Sequence, residues 1–175
     1  MTLDNGNHEE RTLPQFFVEW REEMIQAGNE NDITPTDYLN QPGAAEFVIA
    51  AQWLFCPEFL EYRGCVMLAR RFDLDIVDEW FERLDGDATR VEMIANLVAL
   101  YDLFTASETE GQAPASEDIL QLARTLQLCW RGLLHEQFSD RRFDVVVIDD
   151  ETSNGPEVTF CTRRPGEENR WTGNR

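Results

Sequence analysis

The residues with the clearest chemical potential in this chain are two arginine doublets, Arg141-Arg142 and Arg163-Arg164, which bracket two short segments of β-type sequence. If those segments pair as an antiparallel hairpin, the doublets meet at its open base. Four guanidinium forks then gather where a phosphate or carboxylate could be gripped. Such a cluster repels itself unless acids answer it, and Asp140, Glu167 and acids on the helices are the candidates to do so.

Acid–base chemistry has less to draw on. Of two histidines, His8 lies in a polar N-terminal tail and His135 near the end of a predicted helix, where the exposed carbonyls favour a cationic side chain. Neither Glu136 nor Cys129 shares a helical face with His135 at the spacing of a three-ligand site. Glu58 with Glu61, Asp75 with Asp78 and Asp78 with Glu82 each sit one helical turn apart. Among 34 acids such pairs arise by chance, and solvated helix faces explain them. Asp73-Leu74-Asp75 and Asp85-Gly86-Asp87 lack the glycine and distal glutamate of a calcium loop and read as helix caps. The chain contains no lysine, which removes Schiff-base and P-loop chemistry. Cys56, Cys65, Cys129 and Cys161 show no paired spacing, three of them sit among apolar neighbours, and they read as free buried thiols. No catalytic residue, metal or cofactor is expected.

Charge is the strongest compositional signal. The 34 acids outnumber 15 arginines, for a net charge of -19. Residues 1–138 hold 26 acids and nine arginines and carry -17, whereas residues 139–175 hold eight and six and carry only -2. The mean field repels nucleic acid and anionic membrane, so direct binding to either is not expected, and a basic protein partner is the natural inference. Asp78, Glu79 and Glu82 on one predicted helix, with Glu22 and Glu23 on another, are the acids expected to carry such binding. The first expectation is therefore a noncatalytic interaction protein that binds or inhibits a basic protein, comparable by charge and size alone to immunity proteins or nucleic-acid mimics. The alternative is an enzyme or ligand-binding domain holding an anion at Arg141, Arg142, Arg163 and Arg164. A scaffold subunit using Trp20, Trp53 or Trp80 as an anchor is a third.

The elements that must position these residues follow from hydrophobic period. Leu13 to Gly28 reads as an amphipathic helix through Phe16, Phe17, Trp20 and Met24, and Asn29 to Gly43 as a loop with at most one helical turn. Ala44 to Phe55 is apolar nearly all round, which predicts a central, buried helix. Pro57 to Arg71 reads as a further helix, Leu74 to Leu84 as one capped by Asp73, Ala88 to Phe104 as one capped by Asp87, and Glu117 to Phe138 as the longest, capped by Ser116. Phe143 to Ile148 and Val158 to Thr162, separated by Asn154-Gly155, predict a β-hairpin over 143–162. The expectation is an α+β, mainly α fold: a bundle-like body of five to six helices with a C-terminal hairpin, one domain over 13–164, and disordered tails at 1–12 and 165–175. No apolar run reaches the length of a membrane span and the N-terminus lacks a secretory core, so a cytoplasmic location is expected. The sequence leaves the oligomeric state open.

Overall fold

The computed structural model describes residues 13–29, 33–104, 114–150, 153 and 155–166, so the expected tail at 1–12, and that at 165–175 beyond Gly166, lie outside the described residues. The chain is α+β and mainly α, as expected, and it divides into two units, Met1–Ala45 and Glu46–Arg175.

In the first unit α1 (Gln15–Gln26) turns its apolar stripe inward at Phe17, which is buried. Tyr38 of α2 (Pro35–Leu39) packs edge-on against Trp20 at 5.1 Å between ring centroids. The entry to α2 is fixed by Asp37: Thr34 donates its N–H and its hydroxyl to the Asp37 carboxylate, each at 2.8 Å. These bonds, the backbone one first, hold the Asp37 carboxyl below the usual carboxylate range.

The second unit departs from the helical expectation in three places. The segment Ala44 to Phe55 is not one buried helix but two short ones, α3 (Ala44–Ala50) and α4 (Gln52–Phe55). Phe47, Val48 and Ile49 are 79%, 57% and 68% exposed, and only the end of the segment, with Leu54 buried and Trp53 and Phe55 beside it, reaches the core. Pro57 to Arg71 is not a helix either. Phe59–Tyr62 and Cys65–Leu68 form an antiparallel hairpin, β1 and β2, with Phe59 opposite Leu68 and Tyr62 opposite Cys65. Its loop is Arg63-Gly64, both left-handed at φ 50° and 77°, the backbone of a two-residue hairpin turn that glycine adopts freely. Strand β2 is buried along its whole length, so it shows no polar alternation and its apolar run resembles a buried helix.

The third departure lies after α5 (Leu74–Arg83) and α6 (Ala88–Ala95), which are capped by Asp73 and Asp87 as expected. The predicted continuation to Phe104 stops at Ala95. Val98–Ala99 becomes a strand, β3, and Tyr101–Leu103 a single 3₁₀ turn. The longest helix, α7 (Ser116–Gln137), has Ala115 rather than Ser116 at its N-cap position, and the Ser116 hydroxyl instead meets Tyr101 Oη at 3.0 Å.

The predicted C-terminal hairpin is present as β4 (Phe143–Ile148) and β5 (Glu157–Thr162), from Phe143 opposite Thr162 to Ile148 opposite Glu157. Strand β3 adds to its far side, giving the order β3-β5-β4. Two cores result. One gathers Leu126, Trp130 and Leu134 of α7 against Val145, Val158, Phe160, Val66 and Leu68. The other gathers Cys65 and Met67 with Val77, Phe81 and Val91. Alternate side chains of β2 therefore enter different cores, which is why both of its faces are buried.

Candidate functional site

Helix α6 places Glu92 and Asn96 one turn apart on the same face, and both are fully buried. They stand between β2 and β5, and among the described residues no strand lies between the facing edges of these two. Val66 donates its N–H to Glu92 Oε1 at 2.7 Å, and Thr162 donates its N–H to Glu92 Oε2 at 2.8 Å. One turn on, Leu68 donates its N–H to Asn96 Oδ1 at 2.9 Å, while Asn96 Nδ2 donates to the carbonyls of Val66 at 2.9 Å and Phe160 at 3.2 Å. Two helical side chains thus do the work of a missing strand and join the two sheets through hydrogen bonds to the backbone.

Arg164 closes this cluster. Its Nη1 donates to Glu92 Oε2 at 2.7 Å, to the Thr89 hydroxyl at 2.9 Å and to the Thr162 carbonyl, and its Nη2 reaches the Gly64 carbonyl at 3.3 Å. The Thr162 hydroxyl donates to Glu92 Oε1 at 2.7 Å. The Glu92 carboxylate accepts from four donors and carries the charge opposite to Arg164, so it lacks the open coordination and free lone pairs of a general base. Cys65 lies beside Arg164 but is no nucleophile: burial first, then the Glu92 charge, push its thiol up to about 11.

The other arginines of the two doublets find separate acids. Arg141 pairs with Glu61 on β1, and Arg163 pairs with Asp144 on β4. Arg142 is exposed, and no ion pair of its side chain occurs among the described residues. The doublets do meet at the base of the hairpin, where Arg163 donates its N–H to the Arg142 carbonyl at 2.7 Å. Their guanidinium groups diverge from it toward three different carboxylates, two of them, Glu61 and Glu92, on neighbouring elements. Asp140 takes no part in these pairs, and Glu167 lies outside the described residues.

The acids singled out on α5 divide in two. Asp78 is engaged: Tyr62 Oη donates to it at 2.9 Å and Arg63 Nη1 at 2.9 Å. The tyrosine bond first and the arginine bond next hold its carboxyl below the usual range. A group so depressed adds stability above its unfolded pKa and loses it as pH falls through the folded value. The Tm difference between wild type and Asp78→Asn should accordingly be present at neutral pH and shrink on acidification below about pH 4, as thermal unfolding across pH would read. Glu79 pairs along its own helix with Arg83, and Glu82 is exposed. His135 is exposed in the last turn of α7.

Among the described residues no group of histidine, cysteine and carboxylate side chains is placed to hold a metal ion, and no helix is long and apolar enough to cross a membrane. A cleft in the first unit lined by Trp20, Met24, Ile33 and Asp37 measures ≈ 170 Å³. That is below the roughly 300–1,000 Å³ of small-molecule sites, and its carboxylate, Asp37, is already taken up in the α2 cap.

Fold and site together define an α+β protein whose buried polar cluster joins two sheets and whose exposed acids include Asp75, Glu79 and Glu82 on one helix. Comparison with protein-family models, with curated proteins and with solved structures finds no match for this chain.

Proposed function

We propose that this chain is a noncatalytic interaction protein whose acidic helix face, centred on α5, binds a basic protein. The observation that carries this reading is the composition of that face. Asp75, Glu79 and Glu82 are exposed along it, and among them stand Leu74 and Ile76, 50% and 53% exposed. Apolar side chains ringed by charge are the usual anatomy of a protein interface, the apolar centre supplying affinity and the charged rim steering approach. Binding or inhibition of a basic partner needs no more than this. Asp78, held by Tyr62 and Arg63, keeps the face in register rather than meeting the partner. Cys56, Cys65 and Cys129 form no disulfide, which suits a reducing, cytoplasmic setting.

The test compares the wild-type chain with Asp75→Asn/Glu79→Gln/Glu82→Gln, each immobilised and exposed to host lysate, then washed at about 0.1 M and about 0.5 M salt, across which exposed-charge attraction falls steeply. The expected result is a basic protein held at low salt, released at high salt, and bound at least about tenfold more weakly by the triple variant. Equal retention by wild type and variant would remove the reading. The alternative, an anion held at the hairpin base, draws on a single observation: Arg141 Nη1 is shielded from solvent without a hydrogen-bond partner among the described residues, next to the exposed Arg142. It requires that inorganic phosphate raise the Tm of wild type and not of Arg142→Ala.

A further inference from the structure

No acid occurs in α7 from Ile119 to His135, the longest such stretch in a chain where 34 of 175 residues are acids. Within it Arg124, Leu128, Arg131 and His135 follow at intervals of four, three and four residues, so they share one helical face. That face points away from the core, which α7 meets through Ala123, Leu126, Trp130 and Leu134. All four residues of the stripe are exposed, Leu128 at 56%. No ion pair of Arg124 or Arg131 occurs among the described residues, whereas Arg63, Arg83, Arg141, Arg163 and Arg164 each hold a carboxylate. A basic stripe with an apolar centre is thus left open on a molecule of net charge -19.

A surface that complements it is present on the same chain. From Asp73 to Asp87 the α5 region holds seven acids and one arginine. Its exposed acids Asp75, Glu79 and Glu82 repeat at intervals of four and three, as do Arg124, Leu128 and Arg131. Asp75 to Glu82 and Arg124 to Arg131 each advance about 10.5 Å along their helix axis, so both arginines meet an acid in one approach. Ile76 and Leu128, 53% and 56% exposed, add apolar contact. One molecule does not close this contact on itself. Helix α7 packs with Val66 and Leu68 of β2 and α5 with Cys65 and Met67, which lie on opposite faces of that strand, so the outer faces of the two helices point apart. At about 0.1 M salt the repulsion between two acidic molecules is largely screened beyond roughly 10 Å, which leaves the touching surfaces to decide.

We propose, resting on the reading of α5 as a binding face, that the α7 stripe of one copy docks on the α5 face of a second copy, with Arg124 and Arg131 against Asp75 and Glu82. Because the two faces of each molecule point apart, the contact does not close into a two-fold dimer, and copies add head to tail in an open chain. Two exposed ion pairs around a small apolar centre make a weak contact, with a Kd of about 100 µM. An α5 face occupied in this way is closed to any other basic partner.

Sedimentation velocity of the purified full chain over a concentration series at about 0.1 M salt tests this. The weight-average sedimentation coefficient of wild type should keep rising with concentration, past the dimer value. Arg124→Glu/Arg131→Glu and Asp75→Arg/Glu82→Arg should each weaken association at least about tenfold. An equimolar mixture of the two variants should recover it, since each meets the opposite charge on the other. Far-UV circular dichroism checks that the variants fold. Should the α5 variant fail to do so, the α7 variant and Leu128→Asp, which should also weaken association, decide alone. A wild type that stays monomeric up to about 1 mM, well above the expected Kd, would overturn this association. So would growth that stops at the dimer, association unchanged in the α7 variant, or a mixture of folded variants that recovers nothing. The α7 variant keeps its α5 face and should still capture a basic protein from lysate, so a failure of self-association is told apart from a failure of the α5 reading.

Discussion

Replacing Glu92 by alanine is expected to destabilise the second unit by roughly 3–5 kcal/mol, enough to unfold a large fraction of a domain of ordinary stability. The carboxylate accepts from the Val66 and Thr162 amides, the Thr162 hydroxyl and the Arg164 guanidinium. Deleting it leaves two backbone donors without a partner where no water reaches, and strands an arginine that is three-quarters buried. The effect should exceed what the lost side-chain volume alone would cause. Glu92→Gln separates the two contributions. It keeps one carbonyl acceptor and the shape but turns an N–H toward groups that are themselves donors, so it should recover only part of the stability. Urea denaturation followed by tryptophan fluorescence reads both, and an alanine variant within about 1 kcal/mol of wild type would mean that the cluster is not the joint between the sheets.

The parts of the fold that could be read from the sequence are those in which one face is wet. Helices α1, α5 and α7 and the hairpin of β4 and β5 show their period because charged residues mark the outer side. Asp73 and Asp87 cap where the pattern places them. The parts that were misread lack that contrast. Strand β2 enters a different core with each face, so Cys65-Val66-Met67-Leu68 carries no alternation, and the turn at Arg63-Gly64 was the one sign of a hairpin. The apolar run from Ala44 promised a central helix, but its first half lies exposed. For the candidate site, the arginine doublets were visible and their meeting at the hairpin base was foreseen. Their acids were not, because Glu61 and Glu92 sit on elements whose placement depends on β1 and β2. Glu92 itself did leave a trace: with Asn96 it forms a polar pair one turn apart inside the otherwise apolar Val91 to Leu97. An unremarked acid between Val91 and Met93, in a chain with 34 acids, is easily taken for surface.

Asn96 offers the sharper test of how the two sheets are joined, because it carries no charge. Its amide satisfies three backbone groups from two different strands: the Leu68 amide, and the Val66 and Phe160 carbonyls. Asn96→Leu keeps approximate volume and adds apolar contact, so packing alone predicts little change or a small gain. Hydrogen bonding predicts the opposite. Three buried backbone groups lose their partner together, and even at the low end of about 1 kcal/mol for each the loss is near 3 kcal/mol. Asn96→Asp should also be severe, since it replaces the amide donor with an acceptor facing two carbonyls and brings an unpaired charge into a site closed to water. The two residues lie one turn apart and share Val66 as a partner, so their effects should not add. Once Glu92→Ala has loosened β2 from β5, Asn96→Leu should cost less than it does in wild type, with a coupling of about 1 kcal/mol or more. Additive losses in the double-mutant cycle would instead mean that each side chain holds its own strand, and that β2 and β5 are joined by the apolar core of Val66, Leu68, Val158 and Phe160.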